Sequence, residues 1–306
     1  MRNIIGPVLL LVLLVSGGCA TLPDNVDRTE SFAYTETDDT FFAKGRHEEQ
    51  VAHPGKSGFL LLPNGLDAFV ARAILAQNAE RSLDVQYYLI HSDLTGRLFI
   101  DQLIKAADRG VRVRLLVDDI DLGGRDYTIA MLDSHPQIEV RIFNPFSRKA
   151  GRMGQYVTCF GSLTRRMHNK SFTVDNQATI LGGRNIGNEY FEADPDIVFA
   201  DLDVLAIGPV VQEVSASFDK YWNSELAYPI GLFLDKPPSF EEIEEARQGL
   251  DDFVNQQSES DYLQAPMNSN LVKDIENDRV RFYWGAADVL VDQYFTSPRS
   301  SNNIGI

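Results

Sequence analysis

Residues 165–191 have the sequence RRMHNKSFTVDNQATILGGRNIGNEYF, in which two apolar runs, Met167–Asp175 and Ala178–Leu181, are separated by the short polar turn Asn176-Gln177. This pattern predicts a β-hairpin. The first arm carries His168 and Lys170, which are two residues apart. Because residues two apart on a strand lie on the same face, we expect both side chains to face one ligand.

The first arm of the predicted hairpin ends at Asp175, five residues after Lys170. Simple alternation along a strand places Asp175 on the opposite face from Lys170. We therefore expect Asp175 to support the site through hydrogen bonds or charge balance, unless a bulge redirects its side chain.

A histidine and a lysine on one face suit chemistry at a phosphodiester. Neutral imidazole is a nucleophile near neutral pH, and it can form a covalent intermediate that water or an alcohol then resolves. A lysine ammonium can hold a non-bridging oxygen and offset the charge that develops. We therefore expect His168 to attack phosphorus and Lys170 to bind the phosphate.

The second arm of the hairpin is followed by Gly182-Gly183-Arg184-Asn185. Glycines after a strand allow the backbone to approach a ligand closely, and the amide of Asn185 can donate to a phosphate oxygen. The candidate phosphate-binding residues are therefore Lys170, Gly183 and Asn185. The alternative is a tight turn after the strand in which Asn185 acts as a cap.

Strands alternate with helices on both sides of the hairpin, which predicts an α/β layered domain. The predicted strands are Ser82–Ile90, Val111–Val117, Ile138–Phe143, Leu202–Ile207 and Val280–Trp284. The predicted helices are Leu66–Gln77, a helix from its N-cap at Asp93 to Gly110, Tyr127–Ser134, Pro209–Trp222 and Phe240–Gln256.

The spacing His168-x-Lys170-x-x-x-x-Asp175, followed by Gly182-Gly183-x-Asn185, resembles the HKD motif of the phospholipase D superfamily. The flanks LDVQYYLIHSDLTGRLFIDQLIKAADRGVRVRLLVDD and DLDVLAIGPVVQEVSASFDKYW are similar to cardiolipin synthase-like lipoproteins of that superfamily. The resemblance implies a phospholipase D-type layered fold, with a mixed sheet flanked by helices. It also implies a two-step transfer through phosphohistidine, without metal or other cofactor, on phospholipids such as phosphatidylglycerol.

The superfamily pattern has two HKD motifs, and the second histidine protonates the leaving group. The other histidines, His47, His53, His91 and His135, have no lysine two residues later. One explanation is a truncated chain that ends just after the opening strand of a second half. Such a chain would be inactive and would only bind lipid headgroups or a partner. The other is a homodimer, similar to small single-motif endonucleases of the superfamily, in which two copies of His168 meet across a two-fold axis. The acidic connector and the lone strand near the C-terminus favour truncation.

Two acidic residues are candidates for supporting roles around the site. Glu189 is expected to steer a histidine, and Asp201 matches an acidic position of the superfamily. His91 follows a predicted strand and is either a pocket residue or an ordinary loop histidine.

Three further carboxylates, those of Asp118, Asp119 and Asp121, stand at the end of a predicted strand. Such a group can look like a set of metal ligands. We expect loop and capping roles for them instead, and the sequence predicts no metal site.

The chain begins with a targeting segment. Arg2 precedes the apolar run Ile4–Val15, which is too short to span a bilayer as a helix and suits a signal peptide. Small residues then lead to Cys19, a pattern that resembles the lipobox of bacterial lipoproteins, with Ser16 where leucine is usual. We expect a signal peptide at 1–18 and a lipid on Cys19 that anchors the protein to the bacterial envelope, facing the periplasm. The alternative is an ordinary secretory signal.

Composition suggests the remaining boundaries: a polar membrane tether at 19–57, the phospholipase D-like domain at 58–232, and an acidic connector with the start of a second half at 233–306. The net charge of −16 makes nucleic acid an unlikely partner, because phosphate backbones are bound by surplus lysine and arginine. The expected partners are phospholipids and the membrane. With Cys19 acylated, Cys159 has no cysteine to pair with, so no intrachain disulfide is expected.

Overall fold

A computed structural model describes residues 22–26, 28–149, 155, 165–194, 196–257, 259–265, 269–277 and 279–291. The strands in these ranges are β1 Ser57–Leu62, β2 Ser82–Tyr87, β3 Arg112–Asp118, β4 Ile138–Phe143, β5 Ser171–Val174, β6 Ala178–Gly182, β7 Asp203–Ile207, β8 Ala227–Pro229 and β9 Tyr283–Gly285. They form one mixed sheet in the order β8-β4-β3-β2-β5-β6-β7-β1-β9. The predicted α/β fold with a mixed sheet is confirmed.

The helices are α1 Phe41–Ala52, α2 Gly65–Gln77, α3 Leu94–Asp108, α4 Asp126–Asp133, α5 Val210–Trp222, α6 Phe240–Gln257, α7 Asp261–Gln264 and α8 Asn270–Glu276. They cover both faces of the sheet. Leu115 of β3 belongs to the main core with residues of α2 and α3, whereas the adjacent Leu116 packs with Phe218 and Trp222 of α5. Since successive strand residues point to opposite faces, α5 covers one face and α2 and α3 cover the other.

The strand directions place the hairpin at a ligand-binding edge. Strands β2, β3 and β4 run parallel, and β5 runs antiparallel to β2. Gln86, near the end of β2, pairs with Ser171, the first residue of β5. The residues just before β5 therefore lie at the edge where the parallel strands end, which is where open α/β sheets bind ligands.

The predicted elements agree with the structure in type, and several boundaries differ. The predicted cap is confirmed, because the Asp93 side chain accepts from the backbone N–H of Gly96 at 3.0 Å. Strand β2 ends at Tyr87, earlier than predicted. Helix α5 begins at Val210, and Pro209 is its N-cap rather than its first residue.

The segment predicted as a tether packs against the domain over its described part. The side chain of Asn25 donates to the carbonyl oxygen of Ala227 at 3.0 Å, and the backbone N–H of Ala33 donates to Asp219 at 3.0 Å. The predicted signal peptide, Cys19 and the loop with Cys159 lie outside the described residues. Within the described residues, no helix combines the length and the apolarity needed to cross a bilayer.

The region predicted as a connector also packs against the domain. Arg97 of α3 lies 4.5 Å from the ring centroid of Phe253 in α6. Of the predicted strand Val280–Trp284, the last two residues lie in the shorter strand β9, which pairs antiparallel with β1 at the edge of the same sheet.

Candidate active site

His168 and Lys170 lie in the extended segment just before β5, not within a strand as predicted, since the ladder begins at Ser171. The two side chains still meet. The Nζ of Lys170 is 3.4 Å from Nδ1 of His168, and it donates to the main-chain oxygen of His168 at 2.7 Å. The imidazole is exposed, whereas Lys170 is 6% exposed. The segment thus places an exposed ring next to a buried ammonium.

The environment of Lys170 lowers the pKa of its ammonium group. Burial lowers the pKa of Lys170 to about 8, although the carboxylates of Asp201 and Asp203 act to raise it. Removal from water disfavours a charged group, which accounts for the direction. Most of the ammonium is still protonated near neutral pH and can bind an anion, and this charge is lost as the pH rises through about 8.

The segment that leads to His168 is anchored at the end of β3. Asp118 accepts from the backbone N–H of Met167 at 2.9 Å and pairs with Arg166 at 2.9 Å. It also caps the following turn by accepting from the N–H of Ile120 at 2.9 Å. Burial raises the pKa of Asp118 to about 6, against the effect of Arg166 and the backbone donors. The approach to His168 is therefore fixed by a buried carboxylate.

The two carboxylates after Asp118 also have partners in the protein. Asp119 accepts from the backbone N–H of Phe146 at 2.6 Å and pairs with Arg148. Asp121 pairs with Arg125 at 2.6 Å. These contacts are the loop and capping contacts expected from the sequence.

Asp175 lies in the hairpin turn, at the opposite end of β5 from Lys170. Its φ of 52° is in the left-handed region, so the alternation assumed for a strand stops before it. The buried carboxylate accepts from the backbone N–H groups of Glu80 at 3.1 Å, Arg81 at 2.7 Å and Ser82 at 2.9 Å. Five residues of extended chain separate it from Lys170, roughly 16 Å at about 3.3 Å per residue. Its contacts fix the start of β2.

The two glycines after β6 face two carboxylates. A Cβ on Gly182 would lie 1.8 Å from Oδ1 of Asp203, and one on Gly183 would lie 2.1 Å from Oδ1 of Asp201. Asp203 is fully buried and pairs with Arg72 at 2.8 Å. The sequence interpretation attributed the glycines to close approach of a ligand, whereas in the structure their neighbours are aspartate side chains.

Asn185 joins two loops at the same edge of the sheet. Its Oδ1 accepts from the backbone N–H of Leu89 at 3.2 Å, and its Nδ2 donates to the hydroxyl of Tyr190 at 2.9 Å. Asn185 is 4% exposed. Such contacts are expected if Asn185 stabilises a tight turn after the strand. Binding of phosphate by Asn185 stays a prediction.

Glu189 lies beside His91, with 3.2 Å between its Oε1 and Nδ1 of His91. The carboxylate of Asp93 is 4.0 Å from the same nitrogen, and that of Asp121 is 3.9 Å from Nε2. Among the described residues, His91, Asp93 and Glu189 form the one group whose ligand atoms lie close enough to share a metal ion, within 4.8 Å. Asp93 is already the N-cap of α3. The histidine that Glu189 contacts is therefore His91.

Residues 73–222 match the family model described as the PLD-like domain of cardiolipin synthase. The match includes the whole segment from His168 to Asn185. The chain carries a domain of the phospholipase D superfamily.

The curated relatives that match this domain are longer proteins, and the match covers only part of each. Cardiolipin synthase C of Escherichia coli is 54% identical over 185 residues, which are 60% of this chain and 39% of that protein. An uncharacterized protein of Helicobacter pylori is 39% identical over 201 residues, which are 65% of this chain and 39% of that protein. The chain thus spans less than half the length of these relatives. Among solved structures, NucT from Helicobacter pylori aligns with a TM-score of 0.42 at 16% identity, over 56% of this chain and 98% of NucT.

The phospholipase D-like domain also brings Tyr88 to the site, which the sequence interpretation did not single out. The ring centroid of Tyr88 is 5.0 Å from that of His168, and Nζ of Lys170 lies 5.6 Å from the Tyr88 ring. An aromatic face is a favourable neighbour for a cation. The sequence position of Tyr88 could have indicated this role, because Tyr88 directly follows β2, a central strand whose end lies at the ligand-binding edge.

Proposed function

We propose that the phospholipase D-like domain breaks and remakes phosphodiester bonds of phospholipids, as a phosphatidyltransferase or phospholipase of the cardiolipin synthase type. One observation carries the proposal: the exposed imidazole of His168 lies beside the buried ammonium of Lys170. Phosphoryl transfer needs a nucleophile that substrate can reach and a fixed cation for the charge that develops. The likeness to cardiolipin synthase C of Escherichia coli supports a phospholipid as the substrate.

In the first step, Nε2 of His168 attacks phosphorus. We assign the attack to Nε2 because Nδ1 is the ring nitrogen near Lys170. A bond forms between nitrogen and phosphorus, the bond from phosphorus to the leaving oxygen breaks, and that oxygen takes a proton from an acid. Lys170 holds a non-bridging oxygen during the step.

In the second step, an alcohol or water attacks phosphorus and gives its proton to the group that acted as the acid in the first step, which is now a base. The bond between nitrogen and phosphorus breaks, and neutral His168 returns. With a hydroxyl of a phosphatidyl lipid headgroup as acceptor, the product from phosphatidylglycerol is cardiolipin. With water as acceptor, the product is phosphatidic acid.

The acid of the first step is a second histidine in the arrangement that the superfamily implies. The sequence has one histidine with a lysine two residues later. A homodimer with two copies of His168 at one site would supply the acid, and a lone chain would bind phospholipid without turnover. The exposed position of His168 at the sheet edge is compatible with contact to a second copy.

Incubation of the purified chain with phosphatidylglycerol vesicles tests the proposal. We expect cardiolipin or phosphatidic acid from the wild type, none from His168→Ala, and unchanged amounts from the control His47→Ala. His47 is a suitable control because it is an exposed residue of α1, a helix that contributes no residue to the candidate site. Absence of both products at every protein concentration would rule out catalysis, and cleavage of DNA without lipid products would favour the nuclease-like alternative.

We also propose a lipid on Cys19, attachment to the bacterial envelope facing the periplasm, and a domain that spans residues 58–232. The support is the apolar N-terminal run and the small residues before Cys19. Growth of the bacterium with radioactive palmitate tests the anchor. Label that survives in a Cys19→Ser variant would contradict it.

A further inference from the structure

A cavity of about 830 Å³ lies between α3, α4 and α6. This volume is within the range of small-molecule sites, about 300–1,000 Å³, and is much larger than the voids of a close-packed core. Its lining is mainly aliphatic and includes Ile100 and Ile104 of α3, Ile129 and Leu132 of α4, and Ile243 and Leu250 of α6.

The arginines in the lining of the cavity have partners in the protein. At one end, Arg125 donates to the carbonyl oxygen of Ile90 at 2.9 Å, and Arg97 donates to that of Ser92 at 3.2 Å. At the other end, Arg247 pairs with Asp108. Arg97 and Asp108 are separated along α3 by roughly 16 Å, at about 1.5 Å per residue. The lining therefore extends along α3 from Arg97 towards the Arg247–Asp108 pair, and it is mainly aliphatic, although Glu244 also contributes to it.

The segment 88–91 connects the candidate active site to this cavity. Tyr88 packs on His168, Leu89 contacts Asn185, and the next two residues, Ile90 and His91, line the cavity. Tyr88 and His91 are separated by about 10 Å of extended chain at most. The end of the cavity with Arg97 and Arg125 thus lies next to the candidate phosphate site.

On the basis of the proposed function, we infer that the cavity binds one fatty acyl chain of the phospholipid whose phosphate lies at His168. An unbranched hydrocarbon chain matches an elongated aliphatic cavity, and each buried methylene adds affinity. The polar end of the lipid then lies near Arg97 and Arg125, on the side of the candidate site. A peptide segment fits less well, because its backbone N–H and C=O groups need partners that aliphatic side chains lack.

Titration of the 306-residue chain with cis-parinaric acid, a fluorescent fatty acid, tests the inference without turnover. We expect saturable binding that Ile104→Trp weakens at least about tenfold, because the indole takes up space that the acyl chain would occupy. The matched control is Lys105→Trp, next to it on α3, which is 51% exposed and does not line the cavity. This control should bind as the wild type does, and so should His168→Ala. Ile243→Trp obstructs the cavity from α6 and serves if Ile104→Trp fails to fold.

Turnover assays separate this inference from the proposed function. In Ile104→Trp, the KM for dipalmitoyl phosphatidylglycerol should rise, while hydrolysis of bis(p-nitrophenyl) phosphate, which has no acyl chain, should be unchanged. A wild type that turns over neither compound but binds cis-parinaric acid in an Ile104-dependent manner supports the cavity and refutes the proposed function. Absence of saturable binding in the wild type would overturn the inference. So would a folded Ile104→Trp or Ile243→Trp variant that binds cis-parinaric acid as tightly as the wild type does.

Discussion

Substitution of Asp175 separates structural support from chemistry. Its Oδ1 accepts from the N–H groups of Arg81 at 2.7 Å and Ser82 at 2.9 Å, and its Oδ2 accepts from that of Glu80 at 3.1 Å. Asparagine keeps an oxygen in place of Oδ1, which also lies 3.3 Å from the N–H of Glu80, and it tolerates a φ of 52°. Asp175→Asn therefore loses the shorter contact with Glu80 and the negative charge. Asp175→Gly keeps the backbone conformation and loses all three.

The size of the effect follows from these contacts. A hydrogen bond to a charged group contributes about 1.5–3 kcal/mol, and three such bonds to one carboxylate are not additive. Burial, which raises the pKa of Asp175, offsets part of the gain. We expect the free energy of unfolding to fall by about 1–2 kcal/mol in Asp175→Asn and about 3–4 kcal/mol in Asp175→Gly. Asp175→Ala should lose about 1 kcal/mol more than glycine, because alanine disfavours the left-handed region.

Urea unfolding followed by circular dichroism measures these differences, and turnover is measured at a temperature where all variants are folded. The kcat of Asp175→Asn should stay within about twofold of the wild type, because the residue supports the fold from a distance and makes no transition-state contact. A fully stable Asp175→Asn variant with kcat reduced about 100-fold would refute this reasoning, since that pattern belongs to a residue that takes part in the chemistry.

Four further substitutions probe the site and its surroundings. Lys170→Met removes a buried cation that binds the phosphate, so turnover should fall about 100-fold. The melting temperature of this variant at neutral pH should not fall, because a buried charge is costly. Turnover by the wild type should decline as the pH rises through about 8, where Lys170 loses its proton. Because the pKa of Asp118 is raised to about 6 in the folded state, its contribution to the free energy of unfolding falls as the pH rises from about 4 to about 6. Urea unfolding at several pH values should therefore find a flatter dependence in Asp118→Asn, and an unchanged slope would contradict this. Gly182→Ala should lower the free energy of unfolding by about 1–3 kcal/mol, as overpacking does. The loss should exceed that in Gly183→Ala, because the new Cβ would lie 2.7 Å from the Cα of Asp203, which is backbone; equal melting temperatures would be the contrary result.

Local patterns in the sequence were sufficient for the type of most elements. Val113, Leu115 and Val117 alternate along β3, and Asp93 caps α3 as its position before an apolar periodic run indicated. Boundaries were harder, as at Asp175, where a run of strand-forming residues ends in left-handed backbone. The available signal was the pair Asp175-Asn176, two residue types that tolerate this conformation.

The sequence also identified the pair of residues at the centre of the candidate site, but not their surroundings. His168 and Lys170 meet, as their spacing predicted. Their different exposure depends on packing against other elements, and the carboxylates that act on Lys170 come from Asp201 and Asp203, more than thirty residues later. No local pattern contains such long-range contacts.

Trapping of the covalent intermediate tests the attack by His168 most directly. The chain is mixed with phosphatidylglycerol, quenched without acid, digested and analysed by mass spectrometry. The proposed mechanism predicts a phosphatidyl adduct on the peptide that contains His168, present in the wild type and in His47→Ala and absent in His168→Ala. Phosphatidylglycerol turnover by His168→Ala at the wild-type rate, or an adduct on a different residue, would contradict it.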